Sequence, residues 1–332
     1  MFKKMFVVLF SIVALLTLTA CADEADEIRD ESDVVDTVDE VDTVDEVDDT
    51  EEVVEVSPHH LEEVDEPLDG LEVHFIDTDL GEDILIRTAD TTILMSTNAH
   101  VYFDTPIPEG PVPYLESQLV DEIDLLITTS DSIDTHIHLP DILEGFPTKE
   151  LWLPTNGVVI YENASDKLRD DLPGILANVV TAIEKQDISL HTPLMGETRT
   201  IGNIHLEAVE SSHHSLAVKV TYGDMSYLFV GDNSLESDID LLESDIDLRS
   251  TVLKPSYLGN GRTTEFLQAV DPKVAVIPSG KNTGYQEPKY IDSLDELGID
   301  RYGILDHGTI VISTDGKSYH IETETKPTSV DP

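Results

Sequence analysis

Asp124 to Leu143, DLLITTSDSIDTHIHLPDIL, constrains this chain more than any other stretch. Asp124 to Ile127 reads as a short apolar strand, Thr128 to Ser132 as a polar loop, and Leu139 to Leu143 has the apolar spacing of a helix start. A strand that ends in a loop of potential side-chain ligands is a common setting for a metal-dependent active site. Here the loop and its continuation offer Ser130, Ser132, Asp134, Thr135, His136 and His138. The two histidines have a second reading, as residues on the domain surface.

The segments around it alternate short strands with amphipathic helices. Leu71 to Asp77, Ile84 to Ile86 and Thr91 to Met95 read as strands, with Gly81 at a turn. His74 then falls at the domain surface. Val112 to Leu119 reads as a helix and Leu151 to Leu153 as a strand. From Ser165 to Gln186, the residues Leu168, Leu172, Ile175, Val179 and Ile183 recur at helical spacing. Ile188 to Leu190, Thr200 to Ile201 and Ile204 to Val209 follow as strands. Ser215 to Tyr222 and Met225 to Gly231 form a hairpin about Tyr222-Gly223-Asp224. Residues 236 to 248 repeat E-S-D-I-D-L and read as an acidic surface helix. Glu265 to Val270 and Tyr290 to Leu297 are helical, and Lys273 to Ile277 is a buried strand. Arg301 to Leu305 and Thr309 to Ser313 close the sheet about Asp306-His307-Gly308, and Tyr319 to Thr323 is the last strand.

The first 67 residues are of another kind. Lys3 and Lys4 precede an apolar run, Met5 to Leu18, which is too short to span a bilayer and reads as a secretory signal over residues 1–20. Leu18-Thr19-Ala20-Cys21 resembles a bacterial lipobox. It implies cleavage before Cys21, acylation of its thiol, and anchorage in the lipid bilayer at the outer face of the cell membrane, each buried CH2 contributing about 0.8 kcal/mol. The other reading is an ordinary secretory signal with an incidental cysteine. Cys21 is the only cysteine, so an acylated chain has no thiol left for a disulfide, a zinc–thiolate site or a nucleophile. Residues 21–67 carry the imperfect repeat V-D-T-V-D-E-V-D. Its valines are too sparse to bury and its charges repel, so a disordered acidic tether is expected. His59 and His60 read as a solvated pair within it.

The formal net charge is -50. Residues 68 to 332 still hold 47 acidic against 16 basic residues. Nucleic-acid binding draws its affinity from Lys and Arg, so nucleic acid is not the expected partner. Excess carboxylate suits a soluble protein in a salty or alkaline habitat.

Several motifs resemble the metallo-β-lactamase superfamily, in the version carried by DNA-uptake competence proteins of the ComEC type. D-L-L-I-T-T-S-D-S-I-D-T is similar, without a gap, to that family's D-L-L-I-L-T-H-x-D-x-D-H. Asp77 and Gly81 sit as in its first hairpin. Phe229-Val230-Gly231-Asp232 is similar to L-x-T-G-D, and Lys254 and Gly259 match L-K-x-x-H-H-G-S. The resemblance covers residues 71 to 323. It implies an α/β (α+β) four-layer αββα sandwich of two mixed sheets over residues 68–325, with a loose end at 326–332.

The same resemblance implies a hydrolase whose zinc or manganese lowers the pKa of its water to about 7. Yet the matching ligand positions hold Ser130, Ser132, Asp134, Thr135, Tyr257, Leu258, Asp232 and Glu287, and none is an imidazole. Asp232 reads either as the remnant of a bridging ligand or as a cap for the segment that follows. The expectation is therefore a catalytically silent binding or structural module on the cell surface, with no cofactor and an unidentified partner or ligand. Two alternatives stay open. Asp134, Asp232 and Glu287 could hold calcium, magnesium or manganese in an all-oxygen site, or Asp134, His136 and His138 could regroup about zinc, either giving a hydrolase. A role in DNA uptake rests on the resemblance alone.

Overall fold

The computed structural model describes residues 69–78, 81–99, 110–131, 133–154, 174–212, 214–231, 235–256, 263–278 and 290–325. Cys21, the acidic tether and the end from 326 lie outside the described residues.

Two mixed sheets carry the domain. The first begins with β1 (Leu71–Asp77), β2 (Gly81–Thr88) and β3 (Thr91–Ala99), an antiparallel meander. Parallel strands β4 (Leu125–Thr128), β5 (Glu150–Trp152) and β6 (Ser189–His191) follow. Parallel neighbours need crossovers, and the described helices lie in them: α1 (Val112–Ser117) before β4, α2 (Leu139–Gly145) before β5 and α3 (Gly174–Gln186) before β6. The second sheet opens with antiparallel β7 (Thr198–Ile201), β8 (Ile204–Ser211), β9 (Leu216–Tyr222) and β10 (Met225–Phe229). It continues in parallel with β11 (Val252–Lys254), β12 (Val274–Ile277) and β13 (Asp300–Gly303), joined through α4 (Leu235–Glu243), α5 (Thr264–Val270) and α6 (Ile291–Leu297).

Strand parity divides the core into three layers. Val73, Phe75, Ile84, Ile86, Leu125 and Ile127 of the first sheet meet Val218, Val220, Tyr227, Phe229 and Val252 of the second. The alternate residues Leu85, Leu94 and Leu126 face outward beneath α1, α2 and α3. Leu228, Leu253 and Ala275 do the same beneath α4, α5 and α6. Two sheets face to face with helices outside each is the αββα sandwich that the motifs implied.

The chain leaves the first sheet after β6 and returns at its end. Here the sequence expectation needs correction. Arg301–Leu305 and Thr309–Ser313 do not pair with each other. β13 edges the second sheet, a single turn α7 (Ile304–His307) crosses over, and β14 (Ile310–Thr314) pairs with β1 in the first sheet, followed by β15 (Tyr319–Thr323). At one tip the sheets touch through turns. Gly223 has φ +59°, and a Cβ there would meet the Gly316 carbonyl at 2.6 Å, while Asp224 N–H donates to that same oxygen at 2.6 Å.

Three further readings change. His74 is not a surface residue but 3% exposed. Its Nδ1 lies 2.8 Å from the Tyr114 hydroxyl and its Nε2 3.0 Å from Glu72, which Arg87 also holds. The acidic helix stops at Glu243 instead of running to 248, and Asp238 within it is buried, accepting from Thr263 N–H at 3.0 Å. His136 and His138 are likewise buried, as described next.

Candidate functional site at the rim of the sandwich

The parallel strands β3, β4, β10, β11 and β12 end at one rim, where crevices form at the carboxyl ends of strands. Thr128 pairs with Ser96, and Thr129 N–H donates to Ser96 O at 3.2 Å. The chain then crosses to the other sheet. Ser130 bridges Ser215, Leu216 N–H donates to Thr129 O at 2.9 Å, and Asp131 N–H donates to His214 O at 3.2 Å. The Asp131 carboxylate lies 2.8 Å from His214 Nδ1. Residues 129–131 thus stitch the first sheet to β9 by backbone hydrogen bonds.

Gly231, at the end of β10, packs into this seam. A Cβ there would meet Ser215 Oγ at 2.6 Å, Leu216 O at 2.7 Å and Thr129 O at 2.8 Å. Only glycine leaves room for three such neighbours, so the close approach explains the Gly before Asp232.

A 3-10 turn, Ile133–His136, follows the seam. Ser96 Oγ donates to the Thr135 carbonyl at 3.0 Å. His136 Nε2 lies 3.1 Å from the Ser130 carbonyl, which can only accept, so that nitrogen carries the proton. Burial pushes the His136 pKa down to about 4, against the opposing pull of the Ser130 carbonyl and Asp131. The ring is therefore neutral and engaged inward. His138 stands at the N-cap position of α2 without a side-chain capping bond, with Nδ1 3.7 Å from Asp83 Oδ2, both side chains buried, and Gly110 lies hard against its ring.

One buried pair had no forerunner in the sequence reading. Lys254 Nζ lies 2.8 Å from Glu82 Oε1, with the side chains 2% and 1% exposed. The pair joins β2 to β11 across the sandwich. Burial pushes the Glu82 carboxyl above its ordinary range, and Lys254 pulls it back only in part. Strand parity could have found both. Glu82 shares a face with Ile84 and Ile86, and Lys254 shares one with Val252. Close by in the chain, the buried hydroxyls of Thr78 and Ser256 have no hydrogen-bond partner among the described residues, nor do those of Thr128 and Ser215.

Of the expected ligand positions, Ser130 and Thr135 come together here, both buried. The backbone of Asp134 lies in the 3-10 turn between them and His136. Its side chain, and Ser132, Asp232, Tyr257, Leu258 and Glu287, lie outside the described residues. Among the described residues no group of three His, Asp or Glu side chains converges. The donor chemistry at the described positions does not fit a zinc or manganese pair. Ser130 and Thr135 supply neutral hydroxyls where zinc takes imidazole or thiolate and manganese takes carboxylate, and the His136 proton-bearing nitrogen faces a carbonyl.

The buried imidazole carries a pH signature. In the unfolded chain His136 takes a proton near 6.5, whereas folded it resists until about 4. Its contribution is complete above 6.5 and is lost as pH falls towards 4, about 3 kcal/mol in all. Burial lowers His74 as well, which acts in the same direction, while the raised Glu82 acts in the opposite one. Urea unfolding at pH 7 and pH 4.5 should show His136→Asn losing much less stability on acidification than wild type. Equal losses would refute the assignment.

Comparison with known proteins places this geometry in context. The chain is 24% identical over 188 residues to ComE operon protein 3 of Bacillus subtilis strain 168, a ComEC-type protein; the match covers 53% of this chain and 22% of that one. The chain thus spans about a fifth of that relative's length. Among solved structures, the metallo-β-lactamase fold protein YhfI from Bacillus subtilis superposes with a TM-score of 0.49 at 10% identity, over 71% of this chain and 96% of that one. A mutant of the β-hydroxylase CmlA gives 0.49 at 14% identity, over 75% and 55%. No family model matches. The chain resembles metallo-β-lactamase-fold proteins in architecture and a ComEC-type protein in sequence.

Proposed function

We propose that this chain is an exported lipoprotein, anchored by acylated Cys21 to the outer face of the cell membrane, whose sandwich domain binds a partner or ligand without hydrolysing it. One observation carries the reading. At the described ligand positions the metal-binding residue types of the fold are replaced by Ser130 and Thr135, set in a seam of backbone hydrogen bonds with the neutral His136 ring turned inward. A rim wired this way holds shape, not a Lewis acid. The acidic tether then spaces the domain from the bilayer by charge repulsion.

The similarity to ComE operon protein 3 favours a second reading, a part in DNA uptake. The excess of 47 acidic over 16 basic residues in 68 to 332 weighs against it, because the domain repels phosphate.

Elemental analysis of chain purified without chelator or affinity metal tests the proposal. The expected result is far less than one zinc or manganese per chain, and no phosphodiester hydrolysis when either is added. Stoichiometric zinc or manganese with turnover would overturn it. Calcium or magnesium retained together with hydrolysis, both lost in Asp134→Ala and Asp232→Ala, would establish an enzyme built on Asp134, Asp232 and Glu287.

A further inference from the structure

The duplicated E-S-D-I-D-L falls on α4 and the turn after it, and the fold treats its two copies differently. In the second copy, residues 243 to 248, Ile246 is half-buried and Leu248 buried in the outer core of the second sheet. In the first, residues 236 to 241, Leu241 takes the buried place while Ile239 stands 50% exposed. Leu242, one helical turn on, is 38% exposed. Residues three apart share a helix face, so α4 presents a two-residue aliphatic ridge to solvent.

A groove of about 260 Å³ lies beside it, lined by Leu241, Leu242, Ile246, Leu248 and Ala269. Asp247 and Arg249 also line it and neutralise one another through two contacts of 2.8 Å. Lys219 spends its ammonium on the Asp247 carbonyl at 2.8 Å. Asp240, Glu243 and Asp245 remain exposed, with no ion pair among the described residues. Aliphatic side chains beside a groove and uncompensated carboxylates around them make a surface of one character.

We propose that α4 and this groove dock a cationic amphipathic segment of another protein, its apolar face on Ile239 and Leu242 and its lysines or arginines on Asp240, Glu243 and Asp245. Helix-in-groove recognition uses this combination, with aliphatic anchors supplying affinity and charges supplying steering. A second copy of this chain is the wrong occupant, because it would bring the same carboxylates against these. The surface is separate from the rim, so the inference stands whether or not the rim holds a metal.

The probe is a fluorescent synthetic amphipathic helix of lysine and leucine, titrated against the full chain in mild detergent near physiological salt. A peptide of the same composition in scrambled order measures attraction to bulk acidity. The double variant Ile239→Ser, Leu242→Ser leaves every charge in place and alters only exposed side chains. It is expected to weaken the amphipathic peptide at least about tenfold, which is 1.4 kcal/mol, with no effect on the scrambled one. Asp240→Asn, Glu243→Gln, Asp245→Asn should weaken binding and flatten its salt dependence. Equal binding of the amphipathic peptide by wild type and the serine variant overturns the proposal, as does its failure to bind wild type more tightly than the scrambled peptide.

Discussion

Lys254→Met is expected to cost about 3–5 kcal/mol, because it strands the Glu82 carboxylate between the two sheets with no counter-charge. A buried pair gains little over an apolar pair of the same shape, but half of one is strongly destabilising. Adding Glu82→Leu to Lys254→Met is therefore expected to recover most of the loss. Since burial already raises the Glu82 pKa, the single variant should lose less at pH 5 than at pH 7, where keeping the unpaired carboxyl protonated costs more. Urea unfolding of wild type, single and double variants at both pH values reads all of this. A double variant no more stable than the single one would mean that the two side chains do not act as a pair.

Gly231→Ala is the second large effect, at about 2–3 kcal/mol. Its added methyl would collide with Ser215 Oγ, Leu216 O and Thr129 O at once. Two of the three are backbone oxygens in the seam, so neither can move without breaking a ladder. Ser215→Ala in the same chain should relieve only part of the strain. Thermal unfolding decides it, and a loss below about 0.5 kcal/mol would show that the seam yields freely.

The architecture was legible because strand parity is local. Val73 and Phe75, or Ile84 and Ile86, announce an inward face within a few residues. The helical spacing of Val179 and Ile183 survives in α3. The buried polar groups were less legible, because their partners are remote in the chain. His136 and His138 look like surface residues in a run rich in Asp and Thr; what buries them is a 3-10 turn that folds His136 onto the Ser130 carbonyl and a helix start that sets His138 beside Asp83. His74 was misread for the same reason, since Tyr114 lies forty positions away. The return of β14 to the first sheet was hidden by α7, a single turn with no amphipathic repeat to betray it.

Of the candidate site, the sequence located the rim and the substitutions at 130 and 135, and the geometry adds what those residues touch. The Glu82–Lys254 pair was missed although its signal was present. A charge on the inward parity of an apolar strand calls for an opposite charge on the facing sheet; Lys254 meets Glu82 in this way, as Arg199, on the parity of Ile201, meets Glu150 of the first sheet at 2.6 Å.

The pairing of β1 with β14 also orders events in time. Phe75 lies opposite Ile310, and Leu71 opposite Thr314. The first described strand therefore keeps one edge open until residues 310–314 have been made, while β2 and β3 can close on its other side at once. Such distant pairing slows folding, because the loop must close before any contact rewards it. During that interval an inward face of Leu71, Val73 and Phe75 borders an unpaired edge, the kind of surface on which other chains aggregate. A chain delivered N-terminus first meets this exposure every time it is made. The last described residues thus act as a latch, and the sandwich is complete only when they arrive.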